Sequence, residues 1–144
     1  MVESMFEKDS ILSKISIIKN CLKTIDKATG SKTEALDDII IQDAFVLNLQ
    51  RSIQACIDIA NIIIAKKGLK IPSTYKDSFH ILSDEGIIES ELKDKMLSMV
   101  GFRNIAVHDY QKLDANILKS ILSKNLVDIE EFYTGIYNKL DELF

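Results

Sequence analysis

The chain has 144 residues, 47% hydrophobic and 28% charged, with a formal net charge of −4 at pH 7. That length and apolar content support one core and exclude a disordered chain, and the acidic balance excludes a protein that grips long nucleic acid mainly through phosphate charge. One Pro and five Gly leave long stretches uninterrupted, which favours helices over a turn-rich β fold and predicts an all-α domain over residues 1–144, an antiparallel bundle of four to five helices.

Residues 9–28 place Ile11, Leu12, Ile15, Ile18, Leu22 and Ile25 at three- and four-residue intervals, the period of an amphipathic helix. Asp9 or Ser10 is placed to cap it, and Thr29-Gly30-Ser31 ends it. A second helical stretch runs over residues 33–67, with Ile40, Ala44, Leu47, Ile53 or Ala55, Ile59 and Ile63 continuing the period. Its length is unusual for a globular helix and suggests a break near Asp37-Asp38, while Gly68 after Lys66 and Lys67 marks its end. Ser73 or Thr74 caps a short helix over residues 74–84 that Gly86 closes. Ser90 begins a helix with Leu92, Met96, Met99 and Val100, and residues 112–114 read as a turn. Asp114 then caps a last long helix whose apolar side holds Ile117, Leu118, Ile121, Leu122, Leu126, Ile129, Phe132, Tyr133 and Ile136, weakened near its end by Gly135.

Residues 1–72 carry ten Lys/Arg against nine Asp/Glu, and residues 73–144 carry eight against thirteen. Any contact with nucleic acid is therefore expected to be local, through Lys93, Lys95, Arg103 and Lys112, each of which read alone is a solvated surface charge. Cys21 and Cys56 lie among apolar residues and read as reduced, buried thiols. The first twenty residues hold no uninterrupted apolar run, and Ile62-Ile63-Ile64 is too short to span a bilayer, so a cytoplasmic protein with no membrane association is expected.

Chemistry concentrates in the segment Gly-Phe-Arg-Asn-Ile-Ala-Val-His-Asp-Tyr, residues 101–110. Arg103 supplies a permanent cation with a planar donor fork suited to phosphate. His108 supplies a side chain that titrates near neutrality, and the pair suggests phosphate chemistry without a metal or cofactor. On a helix Asn104 and His108 share one face, and Arg103 and Tyr110 share another if the helix continues that far. Arg103 and His108 stand about 140° apart around the axis and about 7.5 Å along it. They flank a face, which hints at a composite site completed by a second copy across a two-fold axis.

Each residue also has a plainer reading. His108 near a helix end is ordinarily a surface or capping group, Arg103 pairs with Asp109 or Glu91, Tyr110 packs half-buried, and Asn104 makes a local hydrogen bond. His80, between Phe79 and Ile81, has no comparable neighbours. Asp37, Asp38 and Asp43 lack a partner His at metal-site spacing and read as helix-terminal charge. Glu130, Glu131, Asp141 and Glu142 form a solvated face, and no glycine-rich phosphate loop or Ser- or Cys-nucleophile motif is present.

The segment from Arg103 to Tyr110 resembles the motif of the HepT toxins, members of the HEPN superfamily of helical nucleases. The resemblance extends through Gln42-Asp43-Ala44, Asn48-Leu49-Gln50-Arg51, Ala55-Cys56-Ile57-Asp58-Ile59-Ala60, Pro72-Ser73-Thr74-Tyr75, Met99-Val100-Gly101-Phe102 and Ile117-Leu118, roughly residues 10–134. It implies a helical homodimer with two motifs facing across a cleft, and a metal-independent endoribonuclease. Arg103 and His108 would be its catalytic residues and Asn104 a supporting group; Lys112, from the charge pattern alone, is a candidate substrate contact. It also implies a partner antitoxin of the minimal nucleotidyltransferase type, MntA, which transfers AMP onto the motif tyrosine, here Tyr110, and silences the nuclease. The competing reading is a non-catalytic subunit that binds such a nucleotidyltransferase or its substrate.

Overall fold

The computed structural model describes residues 2–144, with side chains from Met5 onward. Helix α1 (Val2–Thr29) and helix α2 (Ile39–Lys66) lie antiparallel along one another, as the ion pairs Glu7–Lys66 and Lys14–Asp58 require. Helices α3 (Tyr75–Asp84) and α4 (Ser90–His108) pack on α2 and on each other. The C-terminal arm is α5 (Ala115–Ser120), a π turn (Ile121–Asn125), α6 (Leu126–Asn138) and the short α7 (Leu140–Leu143). The described residues contain no strand, so the all-α bundle expected from composition is what forms.

Helix boundaries follow local chemistry. The break expected near Asp37-Asp38 is real: a 3-10 turn (Thr33–Asp37) precedes Asp38, whose Oδ1 accepts the backbone N–H groups of Ile40 and Ile41 and starts α2. Gly68 ends α2 at φ +64°, its N–H donating to Ala65 and that of Leu69 to Ile64. A residue with a Cβ is strained in that left-handed position. Thr74 and Asp77 form a reciprocal capping box at the start of α3. Asp114 caps α5 through the N–H of Asn116.

The core is built around α2. Phe45, Leu49, Ile53, Cys56, Ile57, Ile59, Ala60 and Ile63 are fully enclosed, as are Ile11 and Ile18 of α1 and Phe132 and Ile136 of α6. A helix that buries 13 of its 28 residues belongs at the centre of a bundle, and the periodic reading misplaced its N-terminal face. Ile40 and Leu47 are exposed while Phe45 and Val46 turn inward, because at about 100° per residue Ile40 and Leu47 fall on the same face as Arg51 and Asp58. Leu12 and Ile117, also expected on buried faces, are exposed. The expected last helix is interrupted by the π turn, which re-phases the arm, and again at Lys139; Gly135 lies inside α6 without breaking it. Cys21 and Cys56 are free and buried, and burial pushes both thiols up. No described helix is long and apolar enough to cross a membrane.

Phe79 of α3 meets Phe132 of α6 edge-to-face, with ring centroids 5.5 Å apart. This contact fixes α3, whose N-terminus stands beside the motif. Phe132→Ala is therefore expected to destabilise the chain by about 3–5 kcal/mol, read from the urea midpoint, and Phe132→Leu by clearly less.

Candidate functional site

The motif occupies the last turns of α4. Phe102 and Ala106, four residues apart, point into the core. That orientation leaves Arg103 and Asn104 half-buried and Ile105, Val107 and His108 exposed. Arg103 lies over the ring of Tyr75, the first residue of α3, at 4.7 Å from the centroid. Its Nη1 donates to Asn104 Oδ1 at 3.2 Å, and its buried Nε has no hydrogen-bond partner among the described residues.

The ion pair expected between Arg103 and Asp109 or Glu91 does not form. Asp109 pairs with Lys112 at 2.9 Å, and Glu91 pairs with Lys95 at 3.7 Å. Arg103 is thus held by an aromatic face and an amide, neither of which neutralises it. Its positive charge remains available to an anion arriving from solvent.

The helix stops at His108, where Asp109 adopts φ −152° and ψ 52°, and a 3-10 turn (Tyr110–Lys112) follows. The shared helical face expected for Arg103 and Tyr110 is consequently absent. Tyr110 swings toward α2 and its hydroxyl donates to Asp43 Oδ1. Partial burial, then this hydrogen bond and the negative charge of Asp43, push the phenol up to about 12. His108 is exposed in the final helical turn, where a basic side chain complements the helix dipole. Lys112 is exposed and engaged with Asp109.

The expected acidic trio separates into three roles: Asp38 caps α2, Asp37 pairs with Lys119 at 2.7 Å, and Asp43 holds Tyr110. Sequence reasoning treated all three as helix-terminal charge and so missed Asp43. A signal was present, because Asp43 has no basic residue three or four positions away on its own helix and was free to pair at long range. Tyr75 was missed as well, since nothing in linear spacing connects it with Arg103.

Beside Asn104 opens a cavity of 370 Å³ lined also by Asn61, Thr74, Tyr75 and Ser78. A second, more apolar groove of 590 Å³ lies between α4 and the C-terminal arm, lined in part by Met99, Phe102, Ile105, Leu113 and Ile117. No group of three or more His, Cys, Asp or Glu side chains able to hold a metal ion occurs among the described residues. One protomer therefore offers an unneutralised guanidinium, a supporting amide, a solvent-facing imidazole and a hydrogen-bonded phenol.

Comparison with known proteins identifies relatives of this arrangement. The family profile described as "Ribonuclease HepT-like" matches residues 15–136. The chain is 44% identical over 124 residues to "mRNA nuclease HepT" of Shewanella oneidensis, covering 86% of this chain and 93% of that protein. It is 23% identical over 136 residues to a "Putative RNase" of Archaeoglobus fulgidus, covering 94% and 97%. Among solved structures, it superposes at TM-score 0.85 on the tri-AMPylated HEPN toxin of Shewanella oneidensis in complex with an MNT antitoxin. That match is 42% identical and covers 90% of this chain and 98% of the other. A toxin–antitoxin structure with AMP-PNP matches at the same TM-score, identity and coverage.

Asp43→Asn removes the negative charge beside Tyr110 and leaves its burial in place. The Tyr110 phenol is expected to titrate lower than about 12 yet still above its ordinary 10.0, as read by ultraviolet titration of each protein against its Tyr110→Phe counterpart. Because the native phenol is raised, the stabilisation from this contact is present in full below the ordinary value and lost as pH rises through the folded one. An Asp43→Asn protein whose Tyr110 titrates as in the wild type would contradict the assignment.

Proposed function

The chain belongs to the HepT-like ribonuclease family, and on that premise we propose that it is the toxin of a toxin–antitoxin pair, cleaving RNA without a metal at a site assembled from two copies. The observation that carries this reading is the state of Arg103, immobilised over Tyr75 and against Asn104 with no carboxylate among the described residues to neutralise it. Arg103 and His108 flank a helix face, so a second α4 across a two-fold axis is the economical way to surround one phosphate. Messenger RNA is the substrate named for the Shewanella relative and is the substrate class proposed here.

RNA carries its own nucleophile. The ribose 2′-OH attacks the adjacent phosphorus, forming a P–O2′ bond and breaking the P–O5′ bond. Neutral His108 takes the 2′-OH proton as general base, and the protonated imidazole of the second copy returns a proton to the leaving 5′-oxygen. Arg103 stabilises the charge that gathers on the non-bridging oxygens, and its fixed position means little reorganisation accompanies the reaction. Asn104 restrains that guanidinium through Nη1. The products are a 2′,3′-cyclic phosphate and a 5′-hydroxyl. With a net charge of −4, affinity rests on these local contacts more than on a basic surface.

We further propose a minimal nucleotidyltransferase of the MntA type as partner and Tyr110 as the AMP acceptor. The chain's similarity to a toxin solved in AMP-modified form with its antitoxin supports this. So does the position of Tyr110, exposed and directly beyond the motif helix. A phosphodiester there competes with substrate for Arg103 and fills the cleft.

Purified chain incubated with total RNA and EDTA is expected to cut, with His108→Ala and Arg103→Ala each slowed about 10²–10⁴-fold. A wild type no faster than either variant would leave the non-catalytic subunit as the better description. Co-expression with the nucleotidyltransferase is expected to add AMP at Tyr110 by peptide mass spectrometry and to abolish cutting. Tyr110→Phe should instead escape silencing; AMP found elsewhere, or on no residue, removes Tyr110 from the scheme.

A further inference from the structure

The cavity beside Asn104 has a chemistry of its own. It forms where Asn61 of α2, the linker residues Pro72 and Ser73, and the start of α3 meet α4. Its volume of 370 Å³ lies within the range of about 300–1,000 Å³ usual for small-molecule sites. Pro72 and Tyr75 give it apolar walls, and Asn104 belongs both to this cavity and to the Arg103 constellation. Whatever occupies it lies next to the group bound by Arg103.

The hydrogen-bond inventory of the lining is one-sided. Ser78 Oγ donates to Asn61 Oδ1 at 2.6 Å, which orients the Asn61 amide with one carbonyl lone pair engaged and leaves its NH₂ group without a partner among the described residues. Arg103 engages the Asn104 carbonyl in the same way, leaving that NH₂ group also free to donate. Thr74 Oγ1 accepts from the Asp77 backbone at 3.1 Å and retains its O–H. The Ser73 hydroxyl is spent on Asp77 Oδ2 at 2.5 Å, and that carboxylate oxygen also accepts the N–H groups of Ser73 and Thr74. The capping box thus consumes the nearby acid and presents donors to the cavity.

A flat ligand rich in acceptors, carried next to a phosphate, answers this description. We propose that the cavity is a nucleobase subsite for the residue flanking the cleaved phosphate, selecting bases that present two neighbouring acceptors, cytosine through O2 and N3 or guanine through O6 and N7. The proposal rests on the ribonuclease reading above for the location of that phosphate at Arg103. Adenine is disfavoured because each of its readable edges sets an N6–H₂ donor beside a single acceptor, whereas the two free NH₂ groups here call for two acceptors. RNA recognition of this kind favours unstacked bases seated against aromatic side chains and read by hydrogen bonds at their edges. A site built to hydrogen-bond particular base acceptors rejects a base that leaves its donors unpaired.

Asn61→Asp is the informative variant. It keeps the size of the side chain and the acceptor for the Ser78 hydroxyl, while replacing the NH₂ donor by an anionic oxygen. A thermal melt close to that of the wild type verifies that it folds. In one arm, both proteins cut a random-sequence RNA pool in EDTA and the new ends are sequenced, followed by kinetics on short RNAs that differ only at the flanking base. The wild type is expected to favour C or G at one position next to the cut. Asn61→Asp should lose that bias, with KM for the favoured RNA raised about tenfold, the value of one good base contact. In a second arm, cytidine, guanosine and adenosine 3′-monophosphates are titrated into each protein by calorimetry. The wild type should bind the first two more tightly than the third, and the variant should not discriminate.

A wild type that cuts RNA with no base bias, or a variant with unchanged bias and KM, overturns the subsite. A wild type that cuts nothing removes the ribonuclease reading instead; the titration then decides the subsite alone, and equal binding of the three nucleotides ends it.

Discussion

The enclosure of α2 is the constraint on which the rest of the molecule depends. A 28-residue helix that buries 13 of its residues must be covered by other elements over most of its circumference, and α1, α3, α4 and the C-terminal arm take their places by covering it. The same helix supplies the two polar residues that reach the motif region, Asp43 to Tyr110 and Asn61 to the cavity shared with Asn104. Asp43 and Asn61 are 18 residues apart, about 27 Å along a helix axis. Because Asn61 serves the earlier part of the motif and Asp43 the later part, α4 runs opposite to α2, and the polar groups are strung along a track rather than gathered in a pit. An extended substrate suits such a track better than a compact one.

Charge partition makes an acidic protein compatible with anion chemistry. Acidic side chains near α4 are satisfied by lysines: Lys95 lies within 3.9 Å of Glu91, Asp128 and Glu131, Lys112 takes Asp109, and Lys119 takes Asp37. Such partly exposed pairs contribute little to stability, on the order of 0–1 kcal/mol each. Their consequence is electrostatic bookkeeping at close range, since carboxylates occupied elsewhere do not reach Arg103. The aromatic ring of Tyr75 orients the guanidinium without cancelling its charge, whereas a carboxylate in that place would hold it as firmly and leave it far less able to meet a phosphate.

The parts of this fold legible in the sequence are those governed by contacts within a few residues. Asp38, Gly68, Thr74 and Asp114 mark helix ends where expected, because capping and left-handed turns depend on local backbone geometry. The family was legible too, since a resemblance spread over roughly residues 10–134 agrees with a match over residues 15–136. What escaped depended on partners distant in sequence. The wrong face was assigned to Ile40 and Leu47, the π turn went unseen, and Tyr110 was given a helical position that the chain abandons after His108. Tyr75 and Asp43 matter only through residues 28 and 67 positions away, Arg103 and Tyr110 respectively.

Tyr110 shows how such a distant contact bears on regulation. In the unmodified chain its hydroxyl hydrogen is given to Asp43, which ties the turn after α4 to the side of α2. Attaching AMP at that oxygen, as the proposed silencing requires, deletes the donor and sets a phosphodiester anion against the Asp43 carboxylate. Two unit charges about 4 Å apart repel by about 1 kcal/mol in a water-like environment and by about 4 kcal/mol at the effective dielectric typical near a protein surface. Tyr110 is 41% exposed, so the lower figure applies, added to the lost hydrogen bond. That sum is small against the stability of a folded domain but comparable to what holds a three-residue turn in place. Silencing at this position would then combine two physical effects, a bulky anion competing for Arg103 and a turn released from α2, and Asp43 governs only the second.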